Sequence, residues 1–414
     1  MNSLEMLVQK KESENAVVQS GQQKNGGKKM RNIKGKYADV RIHTVSEEID
    51  QATADQLQAM ADAKWAEGTK IEIMPDCHAG SGAVIGTAAK LNGKADPMTV
   101  GVDIGCAVSA VKIKEKDFDP EKLETVIEKH VPSGMSIGNT VHDFPLIDEL
   151  IAPVEKEREL KALGSLGGGN HFIEIDRDSA GDLWLIVHCG SRHLGLTVAK
   201  WHADQGIRNT NRNARKTVIE TLKAQGREKE IENVLKGFCE KDYFLEGDAF
   251  GDYIHDMHIA QLYSQMNHHI IEETIMKAMN WHQADRIMTM HNYIDTDSMI
   301  LRKGAVSARK GERFVCPMNM RDGTLLCIGK GNPDWNCSAP HGAGRLLSRK
   351  QARSVVRLED FAETMTGIWS KSVCVETLDE SPYAYKPAHK IIEAIGETAD
   401  VIDIMKPVFN FKAH

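Results

Sequence analysis

Several apolar runs in this chain end in a histidine or an acidic residue. Leu185-Ile-Val187 leads into His188, and Ile287-Met-Thr-Met290 leads into His291. The run that starts at Met98 reaches Asp103 in the same way. Short apolar runs with β-branched side chains are typical of buried strands. Because the ends of distant strands can meet at one place in a fold, this pattern predicts that these polar residues gather into one site.

Asp103 and Cys106 lie three residues apart between two apolar runs. An aspartate inside such a segment is costly to bury unless it is paired or bound to a metal ion. A carboxylate oxygen and a thiolate sulfur on one short turn suit a borderline cation such as manganese, zinc or iron. We therefore predict that this turn contributes two metal ligands.

A glycine-rich segment at 164–169 precedes Asn170 and His171. A dinucleotide-binding fingerprint would need a helix directly after its glycines. The run Phe172–Asp176 instead predicts a strand, which excludes that interpretation. We predict a loop that approaches a phosphate or a metal ion and brings Asn170, His171 and Glu174 to one site.

Composition bounds the class of protein. The chain has 414 residues and a net charge of −7, so a nucleic-acid partner would need a local basic patch. Its eight cysteines form no CxxC pair, which is typical of reduced thiols in a cytoplasmic protein. No run approaches the roughly 20 apolar residues of a membrane span. Residues 1–36 predict a flexible leader, and 37–414 predict one catalytic domain.

The remaining periodicity predicts a mixture of helices and strands. Strands are expected at Lys70–Met74 and Trp184–His188, with a hairpin at 314–328, and the segment from Val401 is expected to lead into a tail. Helices are predicted, in chain order, at 47–66, 116–130, 147–162, 196–224, 250–279, 346–372 and 389–397.

The motif Ser338-Ala-Pro-His341-Gly-Ala-Gly-Arg345 carries a further histidine. Pro340 prevents a helix from running through it, and the two glycines let the backbone approach a ligand closely. Arg345 can hold a phosphate with its planar fork. Taken alone, the motif is a weak signal, because a histidine in a glycine-rich turn is more often an ordinary turn residue.

The candidate ligands are too many for one closed structural zinc site and suit a two-metal site with a bridging ligand. They are Asp103, Cys106, His171, His188 and His291. His341 is then free for another role, and beside a metal pair a histidine can act as a nucleophile toward a nucleoside triphosphate.

Three other segments each allow two interpretations. Asp76-Cys77-His78 is either a metal-binding strand exit or a polar turn. The stretch from Arg302 to Gly311 is either a solvated basic turn or a contact for polyphosphate or an RNA backbone. His255 and His258 share a helix face but have no acidic partner nearby, so we interpret them as packing or surface histidines.

The chain resembles the RtcB family of RNA ligases over roughly residues 65–412. The resemblance rests on six motifs, which are Gly101–Cys106, Gly167–Glu174, Gly190–Arg192, His291-Asn292, Arg302–Ala308 and His341–Arg345. It implies an α+β fold, a single large domain of mixed β-sheets flanked by helices around a metal cleft.

The resemblance also implies the roles of the site residues. Two Mn²⁺ ions would be held by Asp103, Cys106, His171, His188 and His291, with the Cys106 thiolate bridging. His341 would be guanylylated by GTP, and Arg192 and Arg345 would lie near the reacting anions. The positions implied to hold the guanylate are Asn170, His171, Phe172, Ile173, Glu174, His291, Asn292, Pro317, Met318, Asn319, Met320, Thr324, His341, Gly342, Ala343, Gly344, Tyr385 and Lys412.

The implied reaction joins an RNA 3′-phosphate or 2′,3′-cyclic phosphate to a 5′-hydroxyl, in RNA repair or tRNA splicing, with an archease-type activator as a further partner. Asn319 and Thr324 stand where serines are common, which indicates a divergent branch. Two alternatives remain at this point. One is a metal-dependent phosphoesterase that does not ligate, and the other is a non-catalytic RNA-binding factor.

Overall fold

The structure is a computed structural model that describes residues 31–44, 49–240 and 242–413. The predicted leader lies mostly outside these ranges, and its described end includes the strand Arg31–Lys34. In the described part of the chain, no helix is long and apolar enough to cross a membrane.

The chain combines strands and helices, and between residues 283 and 340 strands follow one another with no α-helix between them. The strands are β1 (Arg31–Lys34), β2 (Asp39–Ile42), β3 (Lys70–His78), β4 (Ile85–Lys90), β5 (Lys94–Ala95), β6 (Ala107–Ile113), β7 (Phe172–Arg177), β8 (Leu183–Cys189), β9 (Leu245–Glu246), β10 (Gln283–Met290), β11 (Asn292–Asp295), β12 (Ile300–Lys303), β13 (Ala305–Ser307), β14 (Arg313–Asn319), β15 (Gly323–Gly329), β16 (Ser338–Pro340) and β17 (Ala399–Phe411). The α-helices are α1 (Gln51–Ala61), α2 (Pro97–Val100), α3 (Pro120–His130), α4 (Lys156–Ala162), α5 (Arg192–Ala224), α6 (Ile231–Leu235), α7 (Gly247–Met279), α8 (Arg349–Val355), α9 (Leu358–Thr364) and α10 (Ala388–Ala394).

Two large sheets organise these elements, the first mixed and the second antiparallel, and the predicted α+β fold class is confirmed. One sheet has the strand order β1-β2-β3-β4-β12-β11, and the other has the order β10-β6-β8-β7-β17-β15-β14. Strands β10 and β11 belong to different sheets, and only His291 separates them. The chain therefore crosses from one sheet to the other at a predicted metal ligand.

The position of strand β8 inside its sheet explains why its sequence is almost continuously apolar. Every residue of Leu183–Cys189 is buried. Leu185 and its odd-numbered neighbours pack with Ile271 and Ile275 of helix α7. Trp184 and Ile186 face the other way, against Val315 and other side chains of the same curled sheet. A strand covered on both faces needs apolar side chains at every position.

The two longest predicted helices are confirmed, since α5 and α7 contain the periodic segments 196–224 and 250–279. The continuous helix predicted at 147–162 is wrong. A 3₁₀ turn at Pro145–Glu149 and the helix α4 are separated around Pro153, because the residue before a proline is biased away from helical backbone.

One strand prediction was too short, and one strand lies where a tail was predicted. The strand predicted to end at Met74 continues through Pro75 to His78, and the pairing of β3 with β4 is irregular between Ile73 and His78. A proline fits inside a strand at such an irregularity. The predicted tail from Val401 is wrong, because Ala399–Phe411 forms a strand paired with both β15 and β7.

The basic stretch from Arg302 is a solvated turn only at its end, where Arg309, Lys310 and Gly311 are exposed. Arg302 and Lys303 lie in β12 and are buried. Arg302 donates to the Ser338 hydroxyl, the Tyr293 hydroxyl and the Asp295 carboxylate. Its guanidinium therefore links β11, β12 and β16. The positive charge of Arg302 had suggested that this side chain is exposed.

Candidate metal and nucleotide site

The predicted metal ligands converge where the two sheets meet. Cys106 directly precedes β6, His171 directly precedes β7, and His188 lies near the end of β8. The Cys106 Sγ atom lies 3.4 Å from His171 Nε2 and 3.3 Å from His188 Nε2. His188 Nε2 is 3.3 Å from His291 Nε2, and His171 Nε2 is 3.1 Å from Asp103 Oδ2. All five predicted ligands thus form one connected group.

These separations fit a bound cation. Two nitrogen ligands that lie about 2.1 Å from a tetrahedral metal ion are about 3.4 Å apart. Cys106 Sγ has similar separations from the two histidine nitrogens, the ligand atoms of Cys106, His171 and His188 all lie within 4.8 Å of one another, and all three residues are buried. His188 Nδ1 lies 3.1 Å from the carbonyl oxygen of Asn170, so Nδ1 carries the proton and Nε2 keeps a lone pair for a metal. The residues present therefore fit the metal that the resemblance implies.

The electrostatics of the cluster favour metal-binding forms of its imidazoles. Burial lowers the pKa of His188 and of His291, and neighbouring histidines lower both further, so both rings are neutral. Burial raises the pKa of Asp103, but the hydrogen bond and charge of His171, together with Cys106 and His188, outweigh it and hold that pKa below its usual value. Neutral imidazoles and an ionised carboxylate are the forms that bind cations.

Cys106 has the opposite tendency in the protein alone. Burial raises the pKa of its thiol, and the nearby Asp103 carboxylate raises that pKa further. A coordinating cation deprotonates a thiol outright, so this site would release a proton on binding a metal. The chemistry of the donor set, one thiol with imidazoles and a carboxylate, suits manganese, iron or zinc.

Lys303 is a site residue that the sequence prediction did not single out. Its side chain is buried, and a Cβ atom on Gly101 would lie only 1.9 Å from its Nζ atom. Burial lowers the pKa of Lys303, while Asp103 and Cys106 act to raise it. The signal available in the sequence was its place directly after Arg302 in the basic stretch. The structure puts this cation beside the metal ligands.

His341 lies next to the metal cluster. Its ring centroid is 4.9 Å from that of His291. Its Nδ1 atom lies 2.7 Å from Asp76 Oδ2, and the same carboxylate oxygen accepts the His341 backbone N–H at 3.2 Å. A carboxylate can only accept here, so Nδ1 carries the proton and the neutral ring keeps its lone pair on Nε2. The arrangement leaves Nε2 as the reactive nitrogen.

Asp76 is therefore more than the polar-turn or metal-ligand residue that the sequence suggested. It is completely buried in strand β3 and reaches a residue 265 positions later in the chain. Gly344 makes this contact possible, because a Cβ atom there would lie 2.1 Å from the Asp76 carbonyl oxygen. Gly344 also has a φ of +72°, which favours glycine.

A cleft of about 790 Å³ opens above His341. Its lining includes Asp50, His78 and Gly80, together with the segments around Pro317 and Arg345. Of the predicted guanylate positions, those on the cleft wall are Asn170, Phe172, Glu174, Pro317, Met318, Asn319, Met320, His341, Gly342, Ala343, Gly344, Tyr385 and Lys412.

The other predicted guanylate positions do not line this cleft. His171 and His291 belong to the metal cluster, and Ile173 packs in the apolar core behind the sheet. Thr324 is buried in β15. The Asn292 side chain donates to the Asp103 carbonyl oxygen and accepts the Gly304 backbone N–H, so it supports the metal-binding turn.

The two predicted arginines differ in their surroundings. Arg345 lines the cleft and hydrogen-bonds to Leu347, Asp379 and Tyr385. Arg192 starts helix α5 with a φ of +56°. It donates to the Ser165 hydroxyl and the Gly134 carbonyl oxygen. An atom placed at the Cβ position of Gly167 would touch both Arg192 and His171, so Arg192 lies close to the metal cluster.

Comparison with known proteins decides the family. The family model described as tRNA-splicing ligase RtcB matches residues 56–152 and 147–413. This chain belongs to the RtcB family. It is therefore a ligase, and the residues gathered at the junction of the sheets lie within the matched region.

Individual relatives agree with this assignment. The RNA-splicing ligase RtcB of Escherichia coli K12 is 29% identical, over 82% of this chain and 88% of that protein. The tRNA-splicing ligase RtcB of Methanococcus maripaludis is 26% identical over 81% and 86%, and that of Pyrobaculum aerophilum is 25% identical over 78% and 83%. The similarity therefore spans most of each RtcB relative rather than one motif.

Proposed function

We propose that this protein is a GTP- and Mn²⁺-dependent RNA ligase that joins an RNA 3′-phosphate or 2′,3′-cyclic phosphate to a 5′-hydroxyl through a histidine–GMP intermediate. One observation carries the proposal. His341 has its Nδ1 proton held by the buried Asp76, and its ring lies 4.9 Å from His291 of the metal cluster. A nucleophile oriented by a carboxylate beside a metal site suits phosphoryl transfer.

The residues available for Mn²⁺ are Asp103, Cys106, His171, His188 and His291. Bound Mn²⁺ would neutralise charge on the transferring phosphoryl group and align it for displacement. The buried Lys303 amino group lies at the same place, and in its protonated form it favours an anionic substrate.

The first chemical step follows from the tautomer of His341. Its Nε2 lone pair attacks the α-phosphorus of GTP, and the bond from that phosphorus to the bridging oxygen of pyrophosphate breaks. Asp76 keeps the Nδ1 proton in place and stabilises the positive charge that the ring gains. The product is a phosphoramidate between His341 and GMP.

The later steps use the RNA ends. Water first opens a cyclic phosphate to a 3′-phosphate. An oxygen of the 3′-phosphate attacks the GMP phosphorus, and the bond to His341 breaks. The 5′-hydroxyl then attacks the activated 3′-phosphate, loses its proton, and expels GMP. Activation is needed because a phosphate monoester is a poor electrophile, and GMP supplies a leaving group.

The walls of the cleft offer contacts for both substrates. Glu174 and Lys412 present a carboxylate and an ammonium to the cleft, which Tyr385 also lines. Arg345 and Arg349 present guanidinium groups that suit the phosphates of the substrates. The predicted cytoplasmic location and archease-type activator stay predictions.

Labelling with GTP tests the proposal directly. The protein is incubated with Mn²⁺ and GTP labelled at the α-phosphate, and the labelled protein is separated under denaturing conditions. We expect an acid-labile adduct that His341→Ala abolishes and that His269→Ala, a change at an exposed position of helix α7, leaves intact. An adduct that persists in His341→Ala would exclude the proposed nucleophile.

A second measurement separates ligation from hydrolysis. A synthetic RNA with 3′-phosphate and 5′-hydroxyl ends is tested with GTP against ATP and with Mn²⁺ against other metals. Cys106→Ala is expected to lose bound metal by elemental analysis and to lose adduct formation. Cleavage of phosphate from RNA by His341→Ala, without ligation by the unsubstituted protein, would favour a metal-dependent phosphoesterase.

A further inference from the structure

One buried carboxylate in the cleft receives four side chains that also line it. Glu380 Oε2 accepts from the Tyr385 hydroxyl at 2.6 Å and from Lys412 Nζ at 3.0 Å. Glu380 Oε1 accepts from Arg349 at 2.7 Å and faces an Arg345 nitrogen at 3.5 Å. The Glu380 side chain is only 3% exposed. Four donors therefore converge on one carboxylate that neither the motifs nor the proposed mechanism uses.

The four donors come from separate parts of the chain. Lys412 directly follows strand β17, and Arg349 begins helix α8. Arg345 and Tyr385 face each other across an isolated β-bridge. Glu380 ends the 3₁₀ segment Val375–Glu380, so it sits between segments that share no regular element. No other group in the described residues bonds to all four of these donors.

The charges around Glu380 make the contact stable. Burial alone would raise its pKa, but Lys412, Arg349 and Arg345 together lower that pKa to about 2. The carboxylate is therefore ionised in the range where the protein would work. The Lys412 side chain is only 4% exposed, and an ammonium buried to that degree is costly unless a carboxylate accompanies it.

We propose that Glu380 is a positioning residue that aims Lys412 and Tyr385 at the nucleobase, and that it thereby sets the preference for guanine over adenine. This rests on the proposed function, in which guanylate occupies the cleft. Lys412 Nζ also lies 5.1 Å from the centre of the Phe172 ring, so its position is set by two contacts.

The chemistry of the bases explains the selectivity. Guanine carries the carbonyl oxygen O6 where adenine carries an amino group. An ammonium can donate to the carbonyl oxygen but has no acceptor for the amino group. A Lys412 side chain held in place therefore favours guanine, and one released from Glu380 favours it less.

Asp379 provides a matched control. Its carboxylate bonds to Arg349 and Arg353, but not to Tyr385 or Lys412. It is as buried as Glu380, at 2% exposure of its side chain. Asp379→Asn therefore removes a neighbouring buried charge and loosens the arginines, while the contacts that we assign to base selection remain.

The test measures binding of GMP and of AMP to the full chain in Mn²⁺ by calorimetry. We expect Glu380→Gln to weaken GMP binding at least about tenfold, the typical loss for a hydrogen bond to a charged group, and to leave AMP binding within about twofold. Asp379→Asn is expected to change neither affinity by more than about twofold. An equal loss for GMP and AMP in Glu380→Gln, or no loss, would overturn the proposal.

Further variants separate positioning from a general structural role. Lys412→Met should remove the preference for GMP, and adding Glu380→Gln to it should cause little further loss. Fully additive losses would count against the proposal. If Glu380→Gln does not fold, Glu380→Asp can be used, because it keeps the carboxylate but moves it away from the donors by one methylene group. It should weaken the binding of GMP more than that of AMP. Because GMP binding needs no transfer to His341, a missing adduct would count against the proposed function alone.

Discussion

At the scale of single residues, the contact between Asp76 and His341 determines what the site can do. Asp76 is fully buried, and one of its oxygens accepts both the ring proton and the backbone N–H of His341. The contact fixes the direction of the ring and its tautomer together. A histidine without such a partner in the same glycine turn would be free to rotate, and its reactive nitrogen would be undefined.

Asp76→Asn is expected to slow formation of the His341–GMP adduct by about 10²- to 10⁴-fold, because an amide can stabilise the wrong tautomer and cannot balance the charge on the ring. The rate of labelling by GTP measures this. Metal content should stay normal, since Asp76 bonds to His341 and not to the cluster.

The control for this prediction is Asp334→Asn, at a carboxylate whose side chain is 75% exposed. It should label at the normal rate. If Asp76→Asn also labels normally, the nucleophile does not depend on the carboxylate, and the assigned tautomer is wrong.

At the scale of elements, the glycine-rich loop before β7 is defined by how closely it packs. A Cβ atom on Gly167 would lie 1.9 Å from His171 Nδ1 and 2.7 Å from the Arg192 guanidinium. A Cβ atom on Gly168 would meet nothing nearer than the Gly134 Cα atom at 3.6 Å. Only one of these neighbouring glycines is therefore required to place a metal ligand.

Gly167→Ala is expected to displace the His171 ring and to lower the metal affinity by roughly 10- to 100-fold, the usual cost of disturbing the support of a ligand. Gly168→Ala should retain normal affinity, because the added methyl group has room. Titration with Mn²⁺ followed by elemental analysis compares the two. Equal affinities would show that His171 does not need this close packing.

At the scale of the whole molecule, the junction of the two sheets buries several histidines in their neutral form. Burial lowers the pKa of His268 to about 4, and its ring contacts the Ser109 hydroxyl and the Cys189 carbonyl oxygen. Burial lowers the pKa of His78 to about 4 as well. The same apolar surroundings that orient the metal ligands thus make the fold sensitive to acid.

The sign of this effect follows from proton uptake. In the unfolded chain a histidine has a pKa near 6.5, so below about pH 6.5 the unfolded state binds protons that the folded state refuses. The free energy of unfolding should therefore fall as the pH decreases from 6.5 to about 4, by roughly 1.4 kcal/mol per pH unit for each such histidine.

Urea unfolding of the metal-free protein between pH 7 and pH 4.5 measures this slope. His268→Asn should reduce the slope of the unfolding free energy with pH by the amount that corresponds to the uptake of about one proton. The reason is that the variant has no titrating group at that position. A slope that is the same in the variant and in the unsubstituted protein would mean that His268 is not kept neutral by the fold.

Much of the architecture was predictable because its signals are local. The continuous apolar run of β8 and the periodicity of α5 and α7 mark elements that are buried or amphipathic over many residues. The convergence of the residues predicted as metal ligands has the same basis. His188 ends an apolar run, His291 follows one, and a polar residue at such a place needs a partner.

Other features depend on partners that are distant in sequence. Strand β17 was taken for a tail, because its exposed Ile402 and Ile404 hide the alternation that its pairing with β15 and β7 requires. From the sequence, the segment that begins with Arg302 and Lys303 was interpreted as a solvated turn or an anion contact. Only the packing of β12 shows that these two residues are buried. Charge in a sequence indicates exposure unless a distant group compensates it.

The sequence by itself determined which chemical groups this protein brings to its site: a thiol, carboxylates and histidines at strand ends, with a further histidine in a glycine turn. The tertiary structure decided how those groups are paired. Asp76 meets His341 across 265 residues, and Glu380 meets Lys412 across 32. Residue types follow from local pattern, whereas such contacts exist only after the sheets pack, so no local signal specifies them.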